Sequence, residues 1–163
     1  MSIQPASKLV LAIDPGSSGG YAYKLSGSAS VVAGNLPDND ADTVSLLSEL
    51  SEQADDLELV IEAVSSFGGV KNAASMSKLF GGKRFIEGVA MALQYRIVNV
   101  QPQKWQQHFA LGKRSGCSSD TEWKNKLKSE AAKRFPKIKV TLKISDALLL
   151  LEFALNTQSC MTA

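Results

Sequence analysis

The segment Leu9-Val10-Leu11-Ala12-Ile13 is apolar at every position, ends on Asp14, and runs into Pro15-Gly16-Ser17-Ser18-Gly19-Gly20. An unbroken apolar run of this length reads as a central strand of a sheet. Because the chain then turns on small residues, the strand leaves a carboxylate at a sheet edge where backbone can approach a phosphate or a metal ion. The rest of the fold has to be built around that strand. At 163 residues, 44% of them hydrophobic, the chain can bury one core, so one domain over residues 1–163 is expected, with its core at about 8–156.

The pattern on either side favours a mixed sheet with helices. Residues 20–25 and 28–33 read as a hairpin around Ser26-Gly27, and residues 42–53 as an amphipathic helix capped by Asp42, with Val44, Leu46, Leu47 and Leu50 on its apolar side. Residues 57–62 form a second central strand that also ends on an acid, Glu62. A Gly/Ser/Phe loop at 65–69 leads to a long helix over 72–94 that is weakened by Gly81-Gly82. A strand at 96–100, a short helix at 102–110, a flexible basic loop at 112–119 and helices at 121–135 and 145–156 complete the chain. The expected fold class is α/β, a mixed central β-sheet of about five strands flanked by α-helices.

Composition removes several functions. No stretch is apolar for long enough to span a bilayer, and residues 1–5 do not read as a signal peptide, so a soluble protein is expected. Cys117 and Cys160 are too few for a disulfide scaffold or a cysteine-based zinc site, which favours a reducing compartment, and the single histidine, His108, excludes multi-histidine metal centres. The net charge of +2 hides an uneven distribution. From Ala33 to Glu62 there are nine acids and no Lys or Arg, whereas from Lys104 to Lys143 there are eleven bases against three acids. Lysines interleaved with Trp105, Phe109 and Trp123 suit a polyanion, since cations neutralise phosphates and aromatic rings stack on bases. A solvated basic helix with half-buried aromatics would give the same pattern.

Asp14 ends the first strand, Glu62 ends Leu59-Val60-Ile61, and Asp146 opens the last helix at Asp146-Ala147-Leu148-Leu149-Leu150-Leu151. If the two acid-ended strands are neighbours, a helix packed across their edge can bring Asp146 to them. Converging carboxylates repel unless a hard cation sits between them, and oxygen ligands suit Mg²⁺ or Mn²⁺. That combination points to metal-assisted phosphodiester hydrolysis. Taken singly, Asp14 also reads as a turn cap, Glu62 as a surface strand end and Asp146, most readily, as a helix N-cap or first-turn acid; it is their conjunction, in this order and on these elements, that points to a site.

Five segments, Ala12-Ile13-Asp14-Pro15-Gly16, Val60-Ile61-Glu62, the helix from Asn72 to Gly81, Val100-Gln101-Pro102-Gln103-Lys104-Trp105 and Ser145-Asp146-Ala147-Leu148-Leu149-Leu150, occur in an order that resembles the RuvC-type Holliday junction resolvases of the RNase H-like superfamily. The likeness spans Leu9 to about Ala154, and the Pro-Gln-Lys-Trp segment is closer to the phage and chloroplast branch. The resemblance implies an RNase H-like fold and a homodimer that nicks opposing strands of a four-way DNA junction. It implies two Mg²⁺ per active site, for which Mn²⁺ could substitute, with Asp14 bridging both metals and Glu62 and Asp146 each favouring one. No membrane and no small-molecule cofactor are implied. The setting would be the cytoplasm of a bacterium or phage-infected host, or an organellar nucleoid.

One position departs from the family pattern. Where a fourth acidic or histidine metal ligand usually stands, one turn before the last aspartate, this chain has Lys143. A protonated lysine cannot ligate a metal, so Lys143 either touches the scissile phosphate as a catalytic cation or points outward. Phe67, in the loop after Glu62, either wedges into the base stack at the branch point or folds back on the core. Further DNA contacts are expected from Lys71, Lys78, Lys83 and Arg84 on the long helix, from Lys104 with Trp105 near the scissile strand, and from Lys113 and Arg114 on the flexible loop. Lys124 and Lys128, one helical turn apart, would hold a junction arm together with Lys126, Lys133 and Arg134. Met76, Leu79, Phe80, Val89, Ala90 and Leu93 on the long helix form the expected dimer face, or an internal one. Two other functions use the same residues: an RNase H-like nuclease acting on RNA–DNA hybrid or structured RNA, and a non-catalytic junction-binding protein.

Overall fold

The computed structural model describes residues 6–64 and 73–159. Five strands, β1 (Lys8–Ile13), β2 (Gly20–Leu25), β3 (Val31–Asn35), β4 (Asp56–Glu62) and β5 (Arg96–Val100), form one sheet in the order β3-β2-β1-β4-β5. Consecutive β1, β2 and β3 pair antiparallel through short turns, while β1–β4 and β4–β5 are parallel. Helices supply the crossovers that parallel pairing needs. They are α1 (Asp40–Ser51) between β3 and β4, and α2 (Ala73–Ala92) between β4 and β5. After β5 come α3 (Pro102–His108), α4 (Asp120–Arg134) and α5 (Ser145–Ser159).

The apolar runs of β1 and β4 are central because both of their faces are covered. The two-residue period of a strand divides each run between two cores. Val10, Ala12 and Val60 pack with Trp105 of α3, Trp123, Leu127 and Ala131 of α4, and the buried Ala147 to Leu151 stretch of α5. Leu9, Leu11, Ile13, Leu59 and Ile61 pack on the other side with Leu47 and Leu50 of α1 and Ile86 and Ala90 of α2. Among the described residues, no helix is long and apolar enough to cross a membrane.

Local differences from the sequence expectation have local causes. Helix α1 starts two residues early because Asn39, not Asp42, is the cap: its Oδ1 accepts the Asp42 N–H at 2.9 Å. That phase buries Thr43, Leu47 and Leu50 and leaves Val44 41% exposed. Strand β3 begins at Val31 because Ser28 Oγ accepts the Ser30 N–H and prolongs the turn. Helix α2 runs unbroken through Gly81-Gly82. Helix α3 ends at His108, before Ala110 takes a positive φ of 53°. The basic loop contains a 3-10 turn at Arg114–Gly116, tied to α4 by the Arg114–Asp120 ion pair at 2.7 Å. The loop at 65–69 with Phe67, and Lys71, lie outside the described residues.

Candidate active site

In the parallel register Ile13 stands opposite Ile61, so the next residues, Asp14 and Glu62, leave the same edge of the sheet side by side. Both are in phase with Ala12 and Val60, which places them on the face covered by α5. Helix α5 enters over that edge, its first turn anchored by buried Ile144 and Ala147, and carries Asp146. All three acids are half-buried. Their charges act on one another. Burial, then the charges of Asp14 and Asp146, push Glu62 up to about 8 against a slight opposing hydrogen bond from Trp105. Burial and then Asp14 push Asp146 up to about 6, opposed by the Ser145 hydroxyl and Lys124. Asp14 is raised by burial, opposed by the Gly16 N–H and by Lys124.

Each carboxylate is held by its own local donor. Asp14 Oδ1 accepts the Gly16 N–H at 3.1 Å, Glu62 Oε2 accepts Trp105 Nε1–H at 3.2 Å, and Asp146 Oδ1 accepts the Ser145 hydroxyl at 3.1 Å. Among the described residues, no three His, Cys, Asp or Glu side chains already stand in a metal-ligand arrangement. The donor set itself, three carboxylates whose charges oppose one another, fits a hard divalent cation. Two glycines make the convergence possible. A methyl on Gly19 would lie 2.0 Å from the Asp14 carbonyl oxygen, and one on Gly20 2.5 Å from the Lys143 carbonyl oxygen. The loop closes behind Asp14, and β2 passes beneath the turn that delivers Asp146, only without side chains there.

No family model matches the sequence, and no curated protein matches it. Among solved structures, Thermus thermophilus RuvC in complex with Holliday junction substrate is similar to this chain at 12% identity, over 91% of this chain and 96% of that chain, with a TM-score of 0.56. A second structure of Thermus thermophilus RuvC matches at 12% identity over 92% and 96% of the two chains, with a TM-score of 0.48. The fold is that of RuvC. Its mixed five-stranded sheet with flanking helices is the RNase H-like arrangement expected from the sequence.

On this RuvC fold the other expected site residues fall into three groups. Lys124 lies nearer the acids than expected, close enough for its charge to act on both Asp14 and Asp146. Lys143 is exposed on the turn before α5, and Lys78, Lys104 and Lys113 are exposed on α2, α3 and the basic loop, while Lys128 is half-buried on α4. Arg84 is exposed but pairs with Glu87 at 3.2 Å, and Arg114 is held by Asp120.

Three expectations are corrected. Lys83 does not face solvent: it is 7% exposed and ion-paired with Glu87, whose carboxylate also accepts from Asn99 of β5 at 3.2 Å. Trp105 is 0% exposed, and Trp123 and Phe109 are also buried, so these rings have no face to offer a base. Their helical spacing, Trp123 with Leu127 and Ala131, turns them to the core while the intervening lysines face out. Arg134 lies over the Phe109 ring at 4.6 Å and pairs with Glu130 and Glu152. The role that sequence reasoning missed is that of Trp105 as a donor to Glu62. A buried indole N–H needs an acceptor, and the acid ending the strand next to β5 was the available one.

Proposed function

We propose that this chain is a divalent-metal-dependent endonuclease that resolves four-way DNA junctions as a homodimer by symmetric paired nicking. The observation that carries the proposal is the convergence of Asp14, Glu62 and Asp146, each with a raised pKa, at one edge of a RuvC fold. Buried acids that repel one another are costly unless a ligand uses them, and such clusters mark functional sites. The structurally similar Thermus protein has been solved with a Holliday junction substrate.

Asp14, Glu62 and Asp146 would hold two Mg²⁺ ions, or Mn²⁺ in their place, which supply activation of the attacking water and charge stabilisation at the leaving oxygen. Water adds to phosphorus, the bond to the 3′ oxygen breaks, and the products are a 3′ hydroxyl and a 5′ phosphate. Asp14, whose charge acts on both Glu62 and Asp146, would be the acid common to the whole ligand set. Trp105 orients the Glu62 carboxylate through its Nε1–H, and Ser145 orients Asp146. Lys124 sets a positive charge beside the acids, where it favours their ionised forms and attracts the phosphate. Exposed Lys78, Lys104, Lys113 and Lys143 contribute phosphate contacts around the site. The dimer contact is on the first half of α2, where Met76 and Phe80 are half-buried; of the other residues expected on that face, Ala90 is buried in the core with Val89 and Leu93 packed against it, and Leu79 lines a cavity.

A non-catalytic junction-binding protein is the second reading, favoured by one observation: exposed Lys143 stands one turn before Asp146, where a further ligand would complete the acid set. A labelled four-way junction, a DNA duplex and an RNA–DNA hybrid, each incubated with Mg²⁺ or EDTA, separate the readings. Paired symmetric nicks confined to the junction and abolished by EDTA are expected. Binding without cutting in Mg²⁺ or Mn²⁺ would favour the second reading, and cutting of the hybrid alone would make the chain a ribonuclease.

A further inference from the structure

A cavity of about 550 Å³ opens beside the acids, on the other side of the loop that follows Asp14. Pro15, Gly16 and Ser17 form one wall, and Lys78, Leu79 and Phe85 of α2 form the other. Gly16 is the partition between cavity and acid: its N–H binds Asp14 Oδ1, and a methyl on it would stand 3.4 Å from the same oxygen. Whatever fills the cavity is therefore one residue away from the site of cutting.

Gly81 and Gly82 also line it. Glycine in a helix interior weakens the helix relative to alanine, and packing does not require it here. A methyl on Gly81 would meet no atom within 4 Å, and one on Gly82 only the Pro15 carbonyl oxygen at 3.9 Å. Gly82 stands on the side of α2 that meets Pro15, so a side chain there would occupy the cavity.

We propose that this cavity receives one unstacked nucleotide of the substrate strand, adjoining the phosphate that is cut; the proposal rests on the nuclease function above. Its size lies in the range that holds small organic ligands. Pro15, Leu79 and Phe85 offer the apolar wall that the face of a base packs against, and the Lys78 ammonium offers a partner for the nucleotide's phosphate. Asp40, at the cavity rim, decides between a nucleotide and a bare phosphate. A carboxylate repels a free anion, but it accepts a hydrogen bond from the exocyclic amino group of a base. The cavity thereby gives the site a means of favouring some sequences at the cut over others.

The test is a two-by-two comparison of cleavage rates. Wild type and Gly82→Leu, whose side chain enters the cavity, are each given an intact four-way junction and one made abasic at a nucleotide flanking the cut. Wild type is expected to cut the abasic junction about tenfold more slowly, the worth of one base stacked on a side chain. Gly82→Leu is expected to cut the intact junction about tenfold more slowly and to lose nothing further on the abasic one. Gly82→Ala, which strengthens α2, is expected to melt no lower than wild type and to show a smaller loss of the same kind. Losses that multiply, or a Gly82→Leu enzyme as fast as wild type, would overturn the cavity's assignment while leaving the nuclease intact. A wild-type protein that cuts no junction would remove the nuclease function itself, and the nucleotide site with it.

Discussion

Glu58 and Glu62 are four residues apart on β4 and face the same side of the sheet, yet the two ends of that strand surround them differently. Glu58 is 1% exposed and ion-paired on both sides, to Lys8 of β1 at 3.2 Å and to Arg96 of β5. Glu62 has an acid on each side, Asp14 at the end of β1 and Asp146 on α5, and its hydrogen-bond donor is the neutral indole of Trp105. A buried carboxylate needs a compensating cation. At the amino end of the parallel strands the chain supplies that cation from its own neighbouring strands. At the carboxyl end it surrounds Glu62 with further carboxylates, and among the described residues the one cation whose charge reaches this group is Lys124, which acts on Asp14 and Asp146. One end of the strand neutralises its buried carboxylate within the fold, and the other carries the acids to which we assign the proposed chemistry.

Paired substitutions sharpen this contrast. Glu62→Gln is expected to lower junction cleavage by about a thousandfold or more, as loss of a metal ligand does, while the metal-free protein remains folded. Glu58→Gln is expected to leave cleavage within about twofold and to destabilise the fold by about 1–3 kcal/mol, the consequence of leaving buried hydrogen-bonding groups unmatched. Single-turnover cleavage and urea unfolding of the two variants measure both effects. If both variants lost activity equally without losing stability, the division of labour along β4 would be broken.

The second expectation concerns pH. Glu62 is raised to about 8 from 4.5 and Asp146 to about 6 from 3.8. Groups raised in the folded state stabilise it fully below their unfolded values, and that stability is lost as pH rises through the folded ones. In EDTA the wild type should therefore lose stability steadily between about pH 4 and pH 8. Glu62→Gln should flatten the upper half of that window, and Glu58→Gln should leave it unchanged. Thermal melts across the range decide it. A smaller effect is that of Trp105→Phe, which keeps an aromatic ring in the core but removes the N–H donated to Glu62. Cleavage should fall about tenfold, the worth of one hydrogen bond to a charged group, and the melting temperature should fall as well, because phenyl leaves part of the indole's buried volume empty.

The parts of the fold and site that were legible in the sequence are those fixed by nearest neighbours in the chain. Leu9–Ile13 is apolar at every position and ends on Asp14, and Leu59-Val60-Ile61 is a shorter apolar run before Glu62, so two acid-ended central strands could be read directly. Their convergence needed the parallel register of β1 and β4, which no local pattern encodes. The lysines were harder, because a lysine's environment depends on which side of its helix meets the sheet. Lys78 and Lys83 lie on the same helix, yet only Lys83 turns toward Glu87 and Asn99 and is buried. Trp105 and Trp123 stand among lysines in the sequence, but helical phase sends the rings inward. Lys124 was legible as a cation and not as a neighbour of the acids, since the packing of α4 against α5 brings it there.

The central claim is that the clustered acids at the carboxyl end of β1 and β4 are a cation site that serves DNA cleavage. Mn²⁺ binding followed by electron paramagnetic resonance, alongside cleavage of a labelled four-way junction, tests it most directly in wild type, Asp14→Asn and Glu58→Gln. Wild type and Glu58→Gln should bind Mn²⁺ and cut the junction, whereas Asp14→Asn should bind junction DNA, lose the Mn²⁺ signal and fail to cut. Equal Mn²⁺ binding and equal cleavage by all three proteins would contradict the account.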